Sequence, residues 1–326
     1  MSRHIPDTPS RAMPDALSGT CPEAALQARA RFPRGLVQPD GSFRFSVDAL
    51  LLAAFAGEAL AGTKKRMTHA GGGNAAAPET TDMPGAPGHG KPVAFADLGA
   101  GCGVVGLALL LAHPRLTGTG IDIDEELADA ARRNAARLGL TERFRVLRAD
   151  LAAPGDAASP EAPAFDALPP AGSMDLVAAN PPYRLPGSGR LSPSRQRTRA
   201  LFETHGTLPA FAEAAARLLR AGGRSCWVYG PDRLPDLLLA LRATGQEPKR
   251  LRCVHSRAHG PATLVLVEAR RAGRPGLVVE PPLILCAGEG AATALTGEAL
   301  AFCPLLACNA GAGGKGAPPF SALART

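Results

Sequence analysis

Between residues 93 and 179 short apolar runs of strand length alternate with stretches whose apolar residues recur at helical spacing. The pattern predicts strand 93–98, helix 104–112, strand 117–122, helix 124–138 and strand 143–148. A Pro/Ala-rich loop at 152–172 then leads to strand 174–179. Upstream, Gly35 to Phe45 reads as a hairpin around Asp40-Gly41, and Ser46 can cap a helix through Ala61 that is apolar along Leu50, Leu51, Ala54 and Leu60. Downstream, Leu208, Phe211, Ala215 and Leu218 mark a helix that stops before Gly222-Gly223. Strand Ser225–Tyr229, helix 234–243 and two strands, Arg250–His255 and Thr263–Ala269, complete the run, the last two joined as a hairpin. Strand–helix alternation requires right-handed crossovers, hence a seven-stranded, mostly parallel sheet with helices on both faces and a closing antiparallel hairpin. That closing pair is unlike a dinucleotide-binding domain.

Around this α/β unit, expected to span 35–285, the composition changes. Residues 1–34 read as a mobile, Pro-punctuated tail with one short Ala-rich helix from Glu23 to Arg31. Residues 62–92 read as a flexible insertion, and 286–326 as a loosely ordered Ala/Gly/Pro tail. A net charge of +7 favours an anionic partner such as nucleic acid. The seven cysteines form no CxxC pair and have no histidine at zinc-finger spacing, so neither a metal site nor a disulfide framework is indicated and a reducing cytoplasm fits. No stretch reads as a membrane span or an export signal.

The candidate chemistry lies at predicted strand ends. Asp97-Leu98-Gly99-Ala100-Gly101-Cys102-Gly103 is a strand, a glycine turn and a helix start, in which Gly99, Gly101 and Gly103 let backbone approach a ligand. No GK[ST] follows, which excludes a P-loop. Asp122 ends the second strand about twenty residues on, where a carboxylate can accept both hydroxyls of a ribose. Asp150 follows the third strand; it could accept from the amino group of an adenine while Leu151 packs on the ring. Each acid alone is equally compatible with a solvated strand end or a helix cap, Asp124 being the better cap candidate. After the fourth strand comes Asn180-Pro181-Pro182-Tyr183. The Asn180 side-chain oxygen and the Pro181 carbonyl can accept the two hydrogens of a planar amine, the paired prolines restrict the loop, and Tyr183 offers a flat face for an extruded base. Five arginines without an acid follow, at 184, 190, 195, 197 and 199; Arg184, Arg190, Arg195, Arg197 and Arg199 suit phosphate contacts, or a solvated loop. Arg250, Arg252, His255, Arg257 and His259 form a second candidate patch, and Phe202 and Trp227 are further stacking candidates.

DLGAGCG, GIDID, ADL and NPPY in this order resemble a class I S-adenosylmethionine-dependent methyltransferase, and NPPY resembles its amino-group branch. More narrowly, GLVQPDGSFRFSVDALLLAAFA, NPPYR and RLRCVHSRAHGPATLVLVEARR resemble the tRNA(Val) adenine-N(6)-methyltransferase family over roughly 35–285. The resemblance implies that Asp97, Gly99, Gly101 and Gly103 cradle the methionine end of S-adenosyl-L-methionine, Asp122 its ribose and Asp150 its adenine. It also implies that Phe43, Arg44, Ser46 and Asp48 close over the methionyl side. Phe43 and Phe45 are equally read as ordinary packing, and Arg44 with Asp48 as a local ion pair. The implied substrate is an adenine of RNA, in a tRNA anticodon loop. Two alternatives stand beside it: methylation of a release-factor glutamine amide, disfavoured by the short, tail-like segment before the hairpin, and a non-catalytic RNA-binding protein on the same fold. The family's aromatic-Thr pair after the PPL strand has no counterpart at Pro281-Pro282-Leu283.

Overall fold

The computed structural model describes residues 22–39, 46–67, 92–152, 167–181, 207–288 and 293–309. Seven long strands form the main sheet: β1 Val93–Leu98, β2 Leu116–Asp122, β3 Phe144–Arg148, β4 Met174–Ala179, β5 Leu219–Tyr229, β6 Gln246–His255 and β7 Ala262–Arg271. Their order is β3-β2-β1-β4-β5-β7-β6. The first five run parallel, and β7 lies antiparallel between β5 and β6. Two further strands, β8 Val278–Val279 and β9 Leu283–Ile284, extend the edge beside β6, so the count exceeds the expected seven. Strands of two residues beside Pro281-Pro282 carry no alternation to read.

The strands are nearly continuous apolar runs because both faces are covered. Successive side chains point to opposite faces. Thus Leu176 and Ala178 of β4, Cys226 and Val228 of β5, and Leu264 and Leu266 of β7 enter one core, while Val177 and Ala179, Trp227 and Tyr229, Val265 and Val267 enter the other. The first core is closed by α2 (Val47–Met67), α3 (Val104–Ala112) and α4 (Glu125–Arg137) through Phe55, Leu107 and Ala131. The second is closed by α5 (Leu208–Leu218) and α6 (Leu234–Ala243) through Phe211, Leu237 and Leu241. As expected, Asp124 caps α4, accepting from Glu126 N at 2.9 Å and Leu127 N at 3.2 Å.

Several expected boundaries need correction. Helix α2 continues to Met67, past Ala61, and β5 begins at Leu219, so Gly222-Gly223 lies inside a strand. The segment 1–34 is not wholly tail-like: α1 (Pro22–Arg31) buries Ala25, and Phe32 after it enters the core. Arg29 Nε donates to Leu138 O at 2.7 Å, completing the C-terminal end of α4. The tail expected over 286–326 is built structure as far as 309. A pair of two-residue strands, β10 Cys286–Ala287 and β11 Ala294–Leu295, precedes α7 (Gly297–Phe302) and a 3-10 turn Pro304–Asn309. Cys286, Ala299, Cys303 and Leu306 are buried against the α2 side of the sheet, and Cys303 Sγ donates to Leu50 O at 3.5 Å. Small side chains bury little area each, so composition concealed the packing. The Asp40-Gly41 turn lies outside the described residues. No helix among the described residues is long and apolar enough to cross a membrane. The six described cysteines are free thiols.

Candidate active site

Strand register sets the geometry of the site. Leu98 of β1 pairs with Ile121 of β2 and Ala179 of β4, and Asp122 pairs with Arg148 of β3. Asp122, the glycine loop and Asn180 therefore emerge level at one edge of the sheet, and Asp150 follows two residues past the end of β3, giving the spatial row Asp150, Asp122, glycine loop, Asn180. In an open parallel sheet this carboxyl edge is where ligands bind.

The glycine loop takes its shape from left-handed backbone: φ is 66° at Gly99, 56° at Gly101 and 85° at Gly103. Gly99 N and Ala100 N donate to Ile121 O at 2.9 and 3.0 Å, tying the loop to β2. A side chain at Gly99 would meet the Phe211 ring at 3.1 Å, whereas one at Gly101 would meet nothing within 4 Å. The Gly101 face is thus the one that a ligand can approach.

Two buried carboxylates brace this loop. Asp97 is 1% exposed, and its Oδ2 accepts from Gly106 N at 2.9 Å, in the first turn of α3. Burial lifts it to about 7, against the Gly106 hydrogen bond, with repulsion from Asp122 adding to the rise. Asp122 is 3% exposed; Oδ2 accepts from Gly101 N at 2.7 Å and Oδ1 from Asp124 N at 2.9 Å. Burial lifts it to about 6 against those backbone bonds. The Ile123 backbone N–H also donates to this carboxylate, which keeps acceptor capacity for a further donor. Asp150 is buried at the end of β3, with Oδ1 accepting from Ala152 N at 2.8 Å, and Leu151 beside it is half-buried. Cys102 is pushed up to about 12, chiefly by burial, so it stays a thiol.

Asn180 is half-buried and Pro181 buried at the tip of β4. Ser46 and Asp48 meet at the start of α2, the Ser46 hydroxyl donating to Asp48 Oδ1. Pro182, Tyr183, Phe43, Arg44 and the arginines at 184, 190, 195, 197 and 199 lie outside the described residues, as does Phe202. Two other expectations change, for Arg250 and Arg252 of the second patch and for Trp227, while Arg257 and His259 of that patch are exposed. Arg250 is engaged by Glu268 and Glu58 at 3.2 Å and Glu280 at 3.3 Å, and Arg252 by Glu298 and the Pro281 carbonyl, so the β6 arginines are held within the fold. Trp227 is fully buried and cannot stack on a base.

Sequence reading missed Asn134. It is 1% exposed on α4, where Nδ2 donates to Val37 O at 3.0 Å and Cys102 O at 2.9 Å, and Oδ1 accepts from Val37 N at 2.7 Å. One side chain thereby joins the segment before the Phe43–Ser46 motif to the glycine loop. An asparagine inside the apolar stripe Leu127, Ala131, Ala135 was the available signal.

A glycine loop, a buried carboxylate ending β2, an acid after β3 and an amide after β4 stand at one sheet edge, and the chain is an S-adenosyl-L-methionine-dependent methyltransferase with a class I fold. Residues 89–229 match the family model of the methyltransferase small domain. The chain is 28% identical over 231 residues, 71% of its length and 76% of the relative's, to a tRNA1(Val) (adenine(37)-N6)-methyltransferase of Porphyromonas gingivalis. It is 31% identical over 126 residues, 38% of its length and 37% of the relative's, to a release factor glutamine methyltransferase of Rhodopirellula baltica. Its fold is shared with a crystal structure of a predicted O-methyltransferase from Agrobacterium tumefaciens: TM-score 0.52, 22% identity, 66% of this chain and 89% of that one.

Proposed function

We propose that the enzyme methylates N6 of an adenine in RNA, in the anticodon loop of a tRNA. The observation that carries the reading is the position of Asn180-Pro181, flush with the glycine loop and Asp122 at one sheet edge. S-adenosyl-L-methionine supplies an electrophilic methyl group on a sulfonium. Asp122 fits its ribose through the free lone pairs of a carboxylate already fixed by Gly101 and Asp124, Asp150 with Leu151 fits its adenine, and the open Gly101 face fits its methionine end. Ser46 and Asp48, with Phe43 and Arg44, close the methionyl side.

The Asn180 side-chain oxygen and the Pro181 carbonyl accept the two amine hydrogens, which fixes the amine and frees its lone pair. No strong base is required, because the attacking nitrogen becomes acidic as it takes the methyl group and then releases its proton to solvent or a backbone acceptor. Pro182 stiffens the turn, Tyr183 stacks on the flipped base, and Arg184, Arg190, Arg195, Arg197 and Arg199 contact RNA phosphates. A loop adenine is already partly unstacked and cheaper to extrude.

The tRNA reading is supported by the relative named for tRNA1(Val) adenine 37, which aligns over nearly twice the share of this chain that the release-factor relative does. The test is transfer of labelled methyl into RNA lacking the modification, with a release factor offered beside it, digestion of the RNA to nucleosides, and the Asn180→Ala variant in parallel. N6-methyladenosine in tRNA that disappears in the variant is expected; label confined to a release factor would overturn the reading.

A further inference from the structure

The glycine loop leans on α4, and one side chain of that helix holds it. Ala131 and Asn134 are both buried, about one turn apart on the same face of α4. Ala131 leaves the space beside Gly103 open: a side chain added at Gly103 would meet the Ala131 methyl at 3.2 Å. Asn134 reaches the adjoining peptide. Its Nδ2 donates to Cys102 O at 2.9 Å, and Gly103 N of the same peptide donates to Ala100 O at 2.8 Å, so both polar ends of that peptide are fixed. Asp122 fixes the turn before it through Gly101 N.

The same amide meets both backbone groups of Val37. Nδ2 donates to Val37 O at 3.0 Å and Oδ1 accepts from Val37 N at 2.7 Å. Both Nδ2 hydrogens are thereby engaged, one on the loop and one on the N-terminal segment. A fully buried amide has no water to substitute for a lost partner, so displacing either the loop or Val37 leaves polar groups unpaired. The segment that contains Val37 runs on to Ser46 and Asp48, which meet at the start of α2 and are assigned above to the methionyl side of the cofactor.

We infer that Asn134 is a positioning residue for the cofactor: it sets the Cys102–Gly103 peptide of the glycine loop and ties Val37 to it, so that cofactor occupancy and the order of the N-terminal segment rise together. This rests on the cofactor site proposed above and deepens it, whatever the methyl acceptor. Coupling of this kind is reciprocal: what the bound cofactor does to the segment, the segment does to cofactor affinity.

The test uses the full chain with S-adenosylhomocysteine as the probe. Affinity is read by titration calorimetry, and amide hydrogen exchange is followed at Gly101 and Leu36. Leu36 N donates to Pro33 O at 3.5 Å, a bond in which Asn134 takes no part, so it reports on the segment in wild type and variant alike. In the wild-type enzyme the probe is expected to slow exchange at both amides. Asn134→Ala is expected to bind the probe roughly tenfold more weakly, and saturating probe then slows Gly101 but no longer Leu36. Leu138→Ala controls for lost stability: this side chain is buried at the end of the same helix, and its removal is expected to destabilise the fold while leaving affinity and the Leu36 response at the wild-type level. Asn134→Asp fills the same space without the amide donors and carries the comparison, with the same expected loss, if the alanine variant does not fold. Wild-type affinity in the Asn134 variants, or a Leu36 response that survives in them or is missing in wild type, would overturn the role. So would a Leu138→Ala variant that weakens the probe as much as Asn134→Ala does. A wild-type enzyme that does not bind the probe at all defeats the cofactor site beneath the inference instead.

Discussion

Replacing Asp122 by Asn separates what this carboxylate does for the fold from what it does for the cofactor. In the folded protein burial raises Asp122 from 3.8 to about 6, so its ionised form is disfavoured there relative to the unfolded chain. The folded state then holds more protons than the unfolded one between those values, and stability falls as pH rises through that window. The full rise corresponds to roughly 3 kcal/mol, of which about 2 kcal/mol develops between about pH 4 and pH 8. Asp97, raised to about 7, adds a slope of the same sign. The Asn side chain cannot ionise, but it offers one acceptor oxygen where the backbone N–H groups of Gly101, Ile123 and Asp124 need partners, a loss of about 1–3 kcal/mol at all pH values. Urea unfolding of the cofactor-free enzymes should therefore show the variant gaining on wild type by about 2 kcal/mol as pH is raised over that range. Titration calorimetry should show the opposite balance for the cofactor. Wild-type affinity tightens as Asp122 ionises, and the variant at about pH 8 binds on the order of 30-fold or more weakly, because charged acceptors to hydroxyls contribute about 1.5–3 kcal/mol each. A stability difference that stays flat with pH, or unchanged cofactor affinity, would refute the assignment.

Other substitutions test separate parts of the structure. Asn180→Ala should lower kcat about 100-fold or more while leaving cofactor affinity intact, measured by methyl transfer and calorimetry. Glu268→Gln, in β7, should destabilise by roughly 3–5 kcal/mol in urea unfolding, because Arg224 and Arg250 lose the buried charge between them; a cost below about 1 kcal/mol would show the pair to be dispensable. Gly106→Ala should cost about 1–3 kcal/mol and weaken cofactor binding, since the added methyl would lie 2.5 Å from the Phe144 ring and crowd the Asp97 contact.

Much of this architecture is legible in the residues because the central strands are buried on both faces and bounded by glycine or acid. Asp97, Asp122, Asp150 and Asn180 fall at strand ends in chain order, and parallel register then aligns them. What the sequence conceals depends on long-range contact. Asn134 is one polar residue in an apolar stripe, and its partners lie 97 and 32 positions away. Arg250 and Arg252 alternate along a strand as surface cations would, yet their partners Glu58, Glu280 and Glu298 come from distant elements. The segment 286–309 reads as a tail because its four leucines and one phenylalanine, spread among alanines and small polar residues, give too weak a periodicity to outweigh its glycines.

The placement of β7 between β5 and β6 has a consequence for synthesis on the ribosome. When β6 has emerged, every strand it pairs with among the described residues, β7, β8 and β9, is still to be made. It must wait, with Leu251 and Val254 unburied, until the chain turns at 256–261 and β7 returns alongside. That turn is short, so the hairpin closes at little entropic cost and then docks as a unit on β5. Glu268 arrives on it already facing Arg250, and meets Arg224 only on docking. The last long strand to be translated is thus the one that seals the sheet, and a chain truncated before 262 would leave β5 and β6 each presenting an open apolar edge.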